Sequence, residues 1–334
     1  MTTAPILFAG GSGSVGRKTI ADFRKRYPDV PVLVGGRNLK TAGEVAQAAG
    51  LAKAIAIDLD KPQLGLADDV AVGAVVMLVP DNALLGLRFA QDRAVPYVSI
   101  GGGLIEVASE LALFTHRPNA APIVIAAHWM AGAAVMLASR AAQAFDRVRS
   151  IHMGALVDDQ DSVGPTALED MARLHEAAPA ALALKDGKRV WLTGDAVNRD
   201  IETVDGRRLK GSAFSSFDVV SLQAATGAAD IRFDLVTAES SSRRAGGGAA
   251  TEIMVEIEGD ADGRATRSRS TLVFDEGTAA LTGVSVVLAL AALLGLDGKA
   301  PTPAGLYMPE LLWDADTYLA EFVRAGAKIE ESLK

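Results

Sequence analysis

The chain has 334 residues, 49% hydrophobic and 22% charged, with no cysteine, four histidines and a formal net charge of −8. That balance excludes a disordered chain, disulfide and thiolate chemistry and Cys-ligated zinc, and it leaves no basic field to hold a nucleic-acid backbone or an anionic membrane. A length beyond the size at which single cores stop growing predicts two domains, in a metal-free cytoplasmic protein that takes a small-molecule partner.

The start, MTTAPILFAGGSG, lacks the charged region and cleavage site of a secretory signal. Six short apolar runs follow: PILFAG (5–10), PVLVG (31–35), AKAIAID (52–58), GAVVMLV (73–79), PYVSIG (96–101) and PIVIAA (122–127). Between them lie helical stretches such as VGRKTIADFRKRY and TAGEVAQAAG. Strands apolar almost throughout are buried on both faces, as in a parallel sheet with helices on either side. Residues 1–130 therefore predict an α/β domain of Rossmann type, with a doubly wound parallel sheet.

Directly after the first strand, GGSGSVG places Gly11, Gly13 and Gly16 in the pattern G-x-G-x-x-G, with Ser12, Ser14 and Val15 between them. Glycine there permits a tight turn, close approach of backbone N–H groups to a pyrophosphate, and close packing of the following helix. An ordinary glycine-rich turn has the same spacing; the strand before and the helix after favour a dinucleotide site. At the end of the second strand an NAD-selective site carries an acid, but here the chain reads GGRN. Loss of that acid makes room for a 2′-phosphate, and Arg37, Asn38 and Lys40 supply donors, so the expected cofactor is NADPH (NADP) in preference to NADH; a solvated arginine in a strand-to-helix loop is the alternative. Asp58, closing the third strand, fits either the adenine edge or a helix-entry role. Val79, Pro80 and Asn82 follow the fourth strand, and Ser99, Gly101, Gly102 and His128 likewise fall at carboxyl ends of strands, where ligands of such sheets sit.

His128 and Trp129 stand at the expected domain junction. Histidine is the usual proton donor near neutral pH, so His128 is the candidate catalytic residue and Trp129 a candidate pocket wall, against a structural role for each. His152 is a second candidate; His116 and His175 read as surface residues.

Beyond residue 146 the texture changes. DRVRSIHMGALV reads as a strand, and TALEDMARLHEAA as a helix with Thr166 and Glu169 in a capping box. The acidic DDQD (158–161) fits exposed helix-entry carboxylates or a contact with a substrate amine. In ESSSRRAGGGAA, Arg243 and Arg244 fit a clamp on a substrate carboxylate or a solvated loop. EIMVEIEGDADGRATRSRSTLVF reads as a hairpin turning at Asp262 and Gly263, which sets Glu258 against Arg267 and Glu256 against Arg269 on a solvated face, with Ile253, Val255 and Ile257 on the other. The apolar run Leu281 to Leu296 is short for a membrane span and reads as a core helix. It and LLWDADTYLAEFVRAG are expected to return to the first domain. The predicted division is thus 1–130 completed by C-terminal helices in 280–334, and a substrate or dimerisation domain over 131–279.

FAGGSGSVG, GGRN, DSVGPTALEDMARL, DGKRVWL, SSFDVVSL and PAGLYMPELL together resemble the saccharopine dehydrogenase-like oxidoreductases. The resemblance implies a Rossmann domain completed by C-terminal helices, a second α/β domain with a mostly antiparallel sheet, and a homodimer. Where relatives have Pro-Gly after the sixth strand, this chain has Ala131-Gly132, so no particular substrate is carried over. The Tyr–Lys pair of short-chain reductases is absent: Tyr27, Tyr97, Tyr307 and Tyr318 are followed four positions on by Pro31, Gly101, Leu311 and Phe322. A protonated imine accepts hydride with little further acid catalysis, which suits a histidine-poor chain. The expected function is NADPH-dependent reduction of a C=N bond. Reduction of a C=O or C=C bond, and a non-catalytic NADP(H)-sensing role, are the alternatives.

Overall fold

The computed structural model describes residues 4–100, 102–104, 106–161, 176 and 180–333. The chain divides into two compact units, Met1–Ala127 with Thr282–Leu312, and His128–Leu281 with Trp313–Lys334.

In the first unit all six predicted strands form: β1 (Ile6–Ala9), β2 (Val32–Gly36), β3 (Ala52–Ala56), β4 (Ala74–Met77), β5 (Tyr97–Ser99) and β6 (Pro122–Ile125). With a late strand, β15 (Gly305–Tyr307), they make a sheet of order β15-β6-β5-β4-β1-β2-β3 in which every pair is parallel. From β1 the chain winds outward through β2 and β3, then crosses to β4 and winds the other way, so the switch point of the sheet lies between β1 and β4. Each residue of β1 and β4 is buried, as strands covered on both faces must be. Helix α1 (Ser14–Arg26) buries Gly16, Thr19, Ile20 and Phe23, a stripe at helical spacing, and Phe23 meets Phe8 of β1 with ring centroids 5.7 Å apart.

Helix Gly277–Leu294 has the length and composition of a membrane span, yet 83% of it is buried. From Thr282 onward it belongs to the first unit, and a Cβ at Gly283 would stand 3.0 Å from the Thr19 backbone nitrogen, so this glycine lets the helix approach α1 closely.

The second unit is built on a nine-stranded sheet ordered β10-β11-β12-β7-β13-β14-β16, with β8 and β9 attached through β12. Its members are β7 (Arg147–Asp158), β8 (Ala181–Lys185), β9 (Lys188–Leu192), β10 (Asn198–Glu202), β11 (Arg208–Ala213), β12 (Asp230–Ala238), β13 (Thr251–Ala261), β14 (Arg264–Phe274) and β16 (Lys328–Leu333). Strands β12 and β7 run parallel; the other pairs described are antiparallel. The hairpin takes the register read from its turn, Glu258 opposite Arg267 and Glu256 opposite Arg269, with Asp262 and Gly263 both at positive φ as a type I′ turn requires. Glu256 accepts hydrogen bonds from both arginines at 2.6 Å.

Two expectations are corrected here. The face opposite Ile253, Val255 and Ile257 is not solvated along its whole length: Met254 is buried with Leu156 and Val236 beneath Ile201 and Leu209 of the β10–β11 ribbon. The last segment also goes elsewhere. Residues 313–334 join the second unit, because Lys328–Leu333 pairs with β14 as an edge strand, and its largely exposed, charged pattern carries no apolar signal. The helix predicted around Thr166 and Glu169, and His175, lie outside the described residues.

Candidate functional site

The chain leaves β1 through Gly10, which has φ of +79°, and curls back with Gly11 N donating to Phe8 O and Gly13 N donating to Gly10 O. A Cβ at Gly16 would stand 2.6 Å from Gly10 O and from the Gly11 backbone, and one at Gly11 would meet Phe8 O at 3.0 Å. Backbone cannot yield as a side-chain tip can, so Gly16 excludes larger residues and Gly11 is tightly confined. Helix α1 then starts with Gly13 as its N-cap, no side chain capping its amides and no acid in its first turn. An uncapped helix start carries free donors and positive partial charge. The loop of Ser12, Gly13, Ser14 and Val15, half-buried or exposed and braced by Arg17 donating to Ser12 O at 2.9 Å, therefore fits a pyrophosphate.

At the end of β2, a Cβ on Gly36 would meet only Ser12 Oγ, at 3.6 Å, so this position opens toward the glycine loop. Arg37 and Lys40 are exposed, and the Arg37 side chain makes no hydrogen bond or ion pair among the described residues. Asn38 has a second role that sequence reading missed. Its Oδ1 caps helix α2 (Leu39–Ala49), accepting from Lys40 N at 3.0 Å and Thr41 N at 3.3 Å, which leaves only its amide group as a donor. Asp58 makes the turn after β3, accepting from Asp60 N and pairing with Lys61 at 3.2 Å; the Asp60 N–H holds its carboxyl below the ordinary range.

Beyond β4, Val79 packs over the glycine loop, where a Cβ on Gly10 would meet its Cγ1 at 2.6 Å. Pro80 is half-buried and Asn82 exposed; Gly101 lies outside the described residues. Val79, Asn82, Ser99 and Gly102 border a cleft of about 120 Å³. Asp81 on its edge caps helix α3 (Leu85–Arg93) by accepting from Leu85 N, Gly86 N and Leu87 N. Sequence reading overlooked Glu110, on helix α4 (Val107–His116), which also borders the cleft and is only 6% exposed. Burial pushes its carboxyl up to about 7, with Asp81 and Glu106 adding repulsion against the pull of the Ser99 hydrogen bond. The available signal was an acid three residues after Val107 on the apolar side of a helix.

In the second unit the substrate and catalytic candidates have partners within the protein. His128 is 5% exposed, its Nε2 lies 2.7 Å from Ser221 Oγ, and its ring meets Phe217 edge-on at 5.0 Å. Trp129 packs against Phe214 and Phe233, and its backbone N–H donates to the fully buried Asp218 at 2.7 Å. Both residues stand at the entry to helix α5 (Ala133–Ala142) within this unit. His152, on β7, accepts from Arg199 at 3.1 Å, and burial with that neighbour lowers its pKa. Arg243 is not a free clamp: its Nε lies 3.0 Å from both oxygens of Asp158, whose side chain is fully buried, and it also bonds Asp159. Arg244 pairs with Asp205 and Glu239. Asp158 and Asp159 of DDQD are thus taken up by Arg243, and Asp161 accepts from Thr278 N at 2.7 Å.

Burial opposes ionisation of Asp158, but Arg243, Ser240 and Gln160 outweigh it and hold the carboxyl well below the usual range. A depressed folded-state pKa stabilises above the unfolded value of about 3.9 and the benefit fades as pH falls below it. Asp158→Asn should thus lower the melting temperature by about 5 °C at pH 7, with the gap to wild type closing as pH drops below about 4; a constant gap in calorimetric scans across that range would contradict the pairing.

No protein-family model matches this sequence, and no curated protein does. Among solved structures, the saccharopine dehydrogenase (L-Glu forming) of Saccharomyces cerevisiae aligns over 99% of this chain and 100% of its own, with a TM-score of 0.70 and 16% identity. The chain is similar in fold to that dehydrogenase. GenD2 of gentamicin A biosynthesis, in complex with NAD, aligns over 99% of this chain and 97% of its own, with a TM-score of 0.50 and 13% identity. An Agrobacterium radiobacter oxidoreductase in complex with NAD+, L-tartaric acid and magnesium aligns over 98% of each chain, with a TM-score of 0.50 and 9% identity. At these identities the likeness is one of fold.

Proposed function

We propose that the protein is an NADPH-dependent oxidoreductase that delivers hydride to the carbon of a small-molecule C=N bond. The observation that carries this reading is the uncapped start of α1 above a loop packed so closely that Gly16 has no room for a side chain. The amides of Ser12, Ser14, Val15 and Gly16 would hold the pyrophosphate, Arg37 with Lys40 and the Asn38 amide the 2′-phosphate, and Val79, Pro80 and Asn82 the nicotinamide ribose. NADPH, when bound, supplies the hydride. The protein's part is to orient that end of the cofactor at the carboxyl ends of β4 and β5 and to bind the acceptor there.

The C=N reading is supported by the fold shared with a saccharopine dehydrogenase and by the buried, hydrogen-bonded state of His128, since an iminium ion needs no strong proton donor as a ketone does. Oxidation of NADPH should require a 2-oxo acid and a primary amine together. Turnover of the carbonyl compound alone would favour C=O reduction, and cofactor binding without turnover of any acceptor would favour a sensing role.

A further inference from the structure

Helix α4 buries two side chains, Val107 and Glu110, and the glutamate is the anomaly, since a carboxyl removed from water needs partners for both oxygens. Ser99 Oγ donates to Glu110 Oε1 at 2.7 Å, whereas Oε2 has no hydrogen-bond partner among the described residues. That oxygen is closed to solvent and offers a ligand no contact surface. What the carboxyl lends the adjoining cleft is its field, which a low-dielectric setting screens poorly.

The same sign prevails around it. Asp81 faces the cleft from the loop after β4 with its oxygens given to three α3 amides, and Glu106 faces it from α4 with Oε2 accepting from Gly103 N at 2.7 Å. Tyr97, the titratable group on β5, is fully buried beside them. The charges acting on Glu110 are those of Asp81 and Glu106, both negative, and no Lys, Arg or His is among the described residues bordering the cleft. Such a lining stabilises positive charge placed against it and does little for a neutral group.

A nicotinamide ring is neutral when reduced and positively charged when oxidised. We propose that this acidic cleft favours the oxidised ring over the reduced one, and so holds NADPH as a stronger hydride donor than it is in solution. The inference rests on the cofactor reading above, which sets the nicotinamide end at the carboxyl ends of β4 and β5, and it adds to that reading a redox bias exerted by Asp81, Glu106 and Glu110. It does not depend on which acceptor is reduced. Ionised Glu110 by itself should contribute about a tenfold preference for NADP+, which lowers the potential of the bound two-electron couple by about 30 mV. Because its carboxyl titrates at about 7, the bias grows as pH rises through neutrality.

Calorimetric titration of the cofactor-free full chain with NADP+ and with NADPH, at pH 6 and at pH 8, reads the bias as a ratio of affinities in which the shared 2′-phosphate cancels. At pH 8 NADP+ should bind about tenfold more tightly than NADPH, or better. The ratio should be about fivefold smaller at pH 6, where Glu110 is mostly protonated. Glu110→Gln should weaken NADP+ at pH 8 far more than NADPH and leave the ratio independent of pH. In unmutated protein, carbon NMR should show NADP+ lowering the Glu110 titration midpoint by about one unit and NADPH leaving it in place. A ratio unchanged by pH, equal weakening of both forms by E110Q, or the same midpoint in the two complexes would overturn the bias and leave the cofactor reading standing. Binding of neither form would overturn both, so the titration itself tells the two failures apart.

Discussion

Gly16→Ala should weaken dinucleotide binding at least tenfold and destabilise the protein by about 2 kcal/mol. Its new Cβ would stand 2.6 Å from Gly10 O and from two Gly11 backbone atoms. No rotamer change relieves a clash with backbone, so α1 must slide away from the loop and take its first amides out of alignment. Gly43→Ala is the matched control. It lies inside α2 with nothing within 4 Å of its Cβ, so it should gain about 0.5–1 kcal/mol and leave cofactor affinity untouched. Thermal unfolding with fluorescence titration of reduced nicotinamide reads both effects. Undiminished binding by Gly16→Ala would remove the loop from the site.

The second large effect concerns cofactor choice. Gly36→Asp combined with Arg37→Ala should cost NADPH about 3 kcal/mol of binding, roughly a hundredfold, while NADH binding holds or improves. The new carboxylate would sit at the open position facing Ser12 Oγ, repelling a 2′-phosphate and accepting hydrogen bonds from ribose hydroxyls, and the exposed guanidinium suited to that phosphate would be gone. Equal losses for the two cofactors would show that GGRN does not read the 2′ position.

The first sheet was legible because a strand buried on both faces must be apolar throughout, and β1 and β4 are. The hairpin was legible to its register because Asp262-Gly263 permits only one kind of turn. What escaped lacked such constraints. Strand β15 has three residues, too few for any period, and β16 is a largely exposed edge. The β10–β11 ribbon covers part of the second sheet through Ile201 and Leu209, a long-range packing decision that alternation within one strand does not reveal.

The candidate site was legible where backbone dictates residue type. Glycines jammed against Phe8 O and Gly10 O leave a mark in sequence that side-chain partnerships do not. Arg243 reads the same as a free clamp or as a latch on Asp158, and His128 the same as a proton donor or as a buried anchor, until the partner residues are in place. Glu110 went unread because its burial depends on Ser99 of a neighbouring strand, eleven residues away.

Titration of the purified wild-type protein with NADPH and with NADH, followed by nicotinamide fluorescence, tests the central claim most directly. The account predicts saturable binding of both with NADPH at least tenfold tighter. Binding of neither, or a preference for NADH, would contradict it.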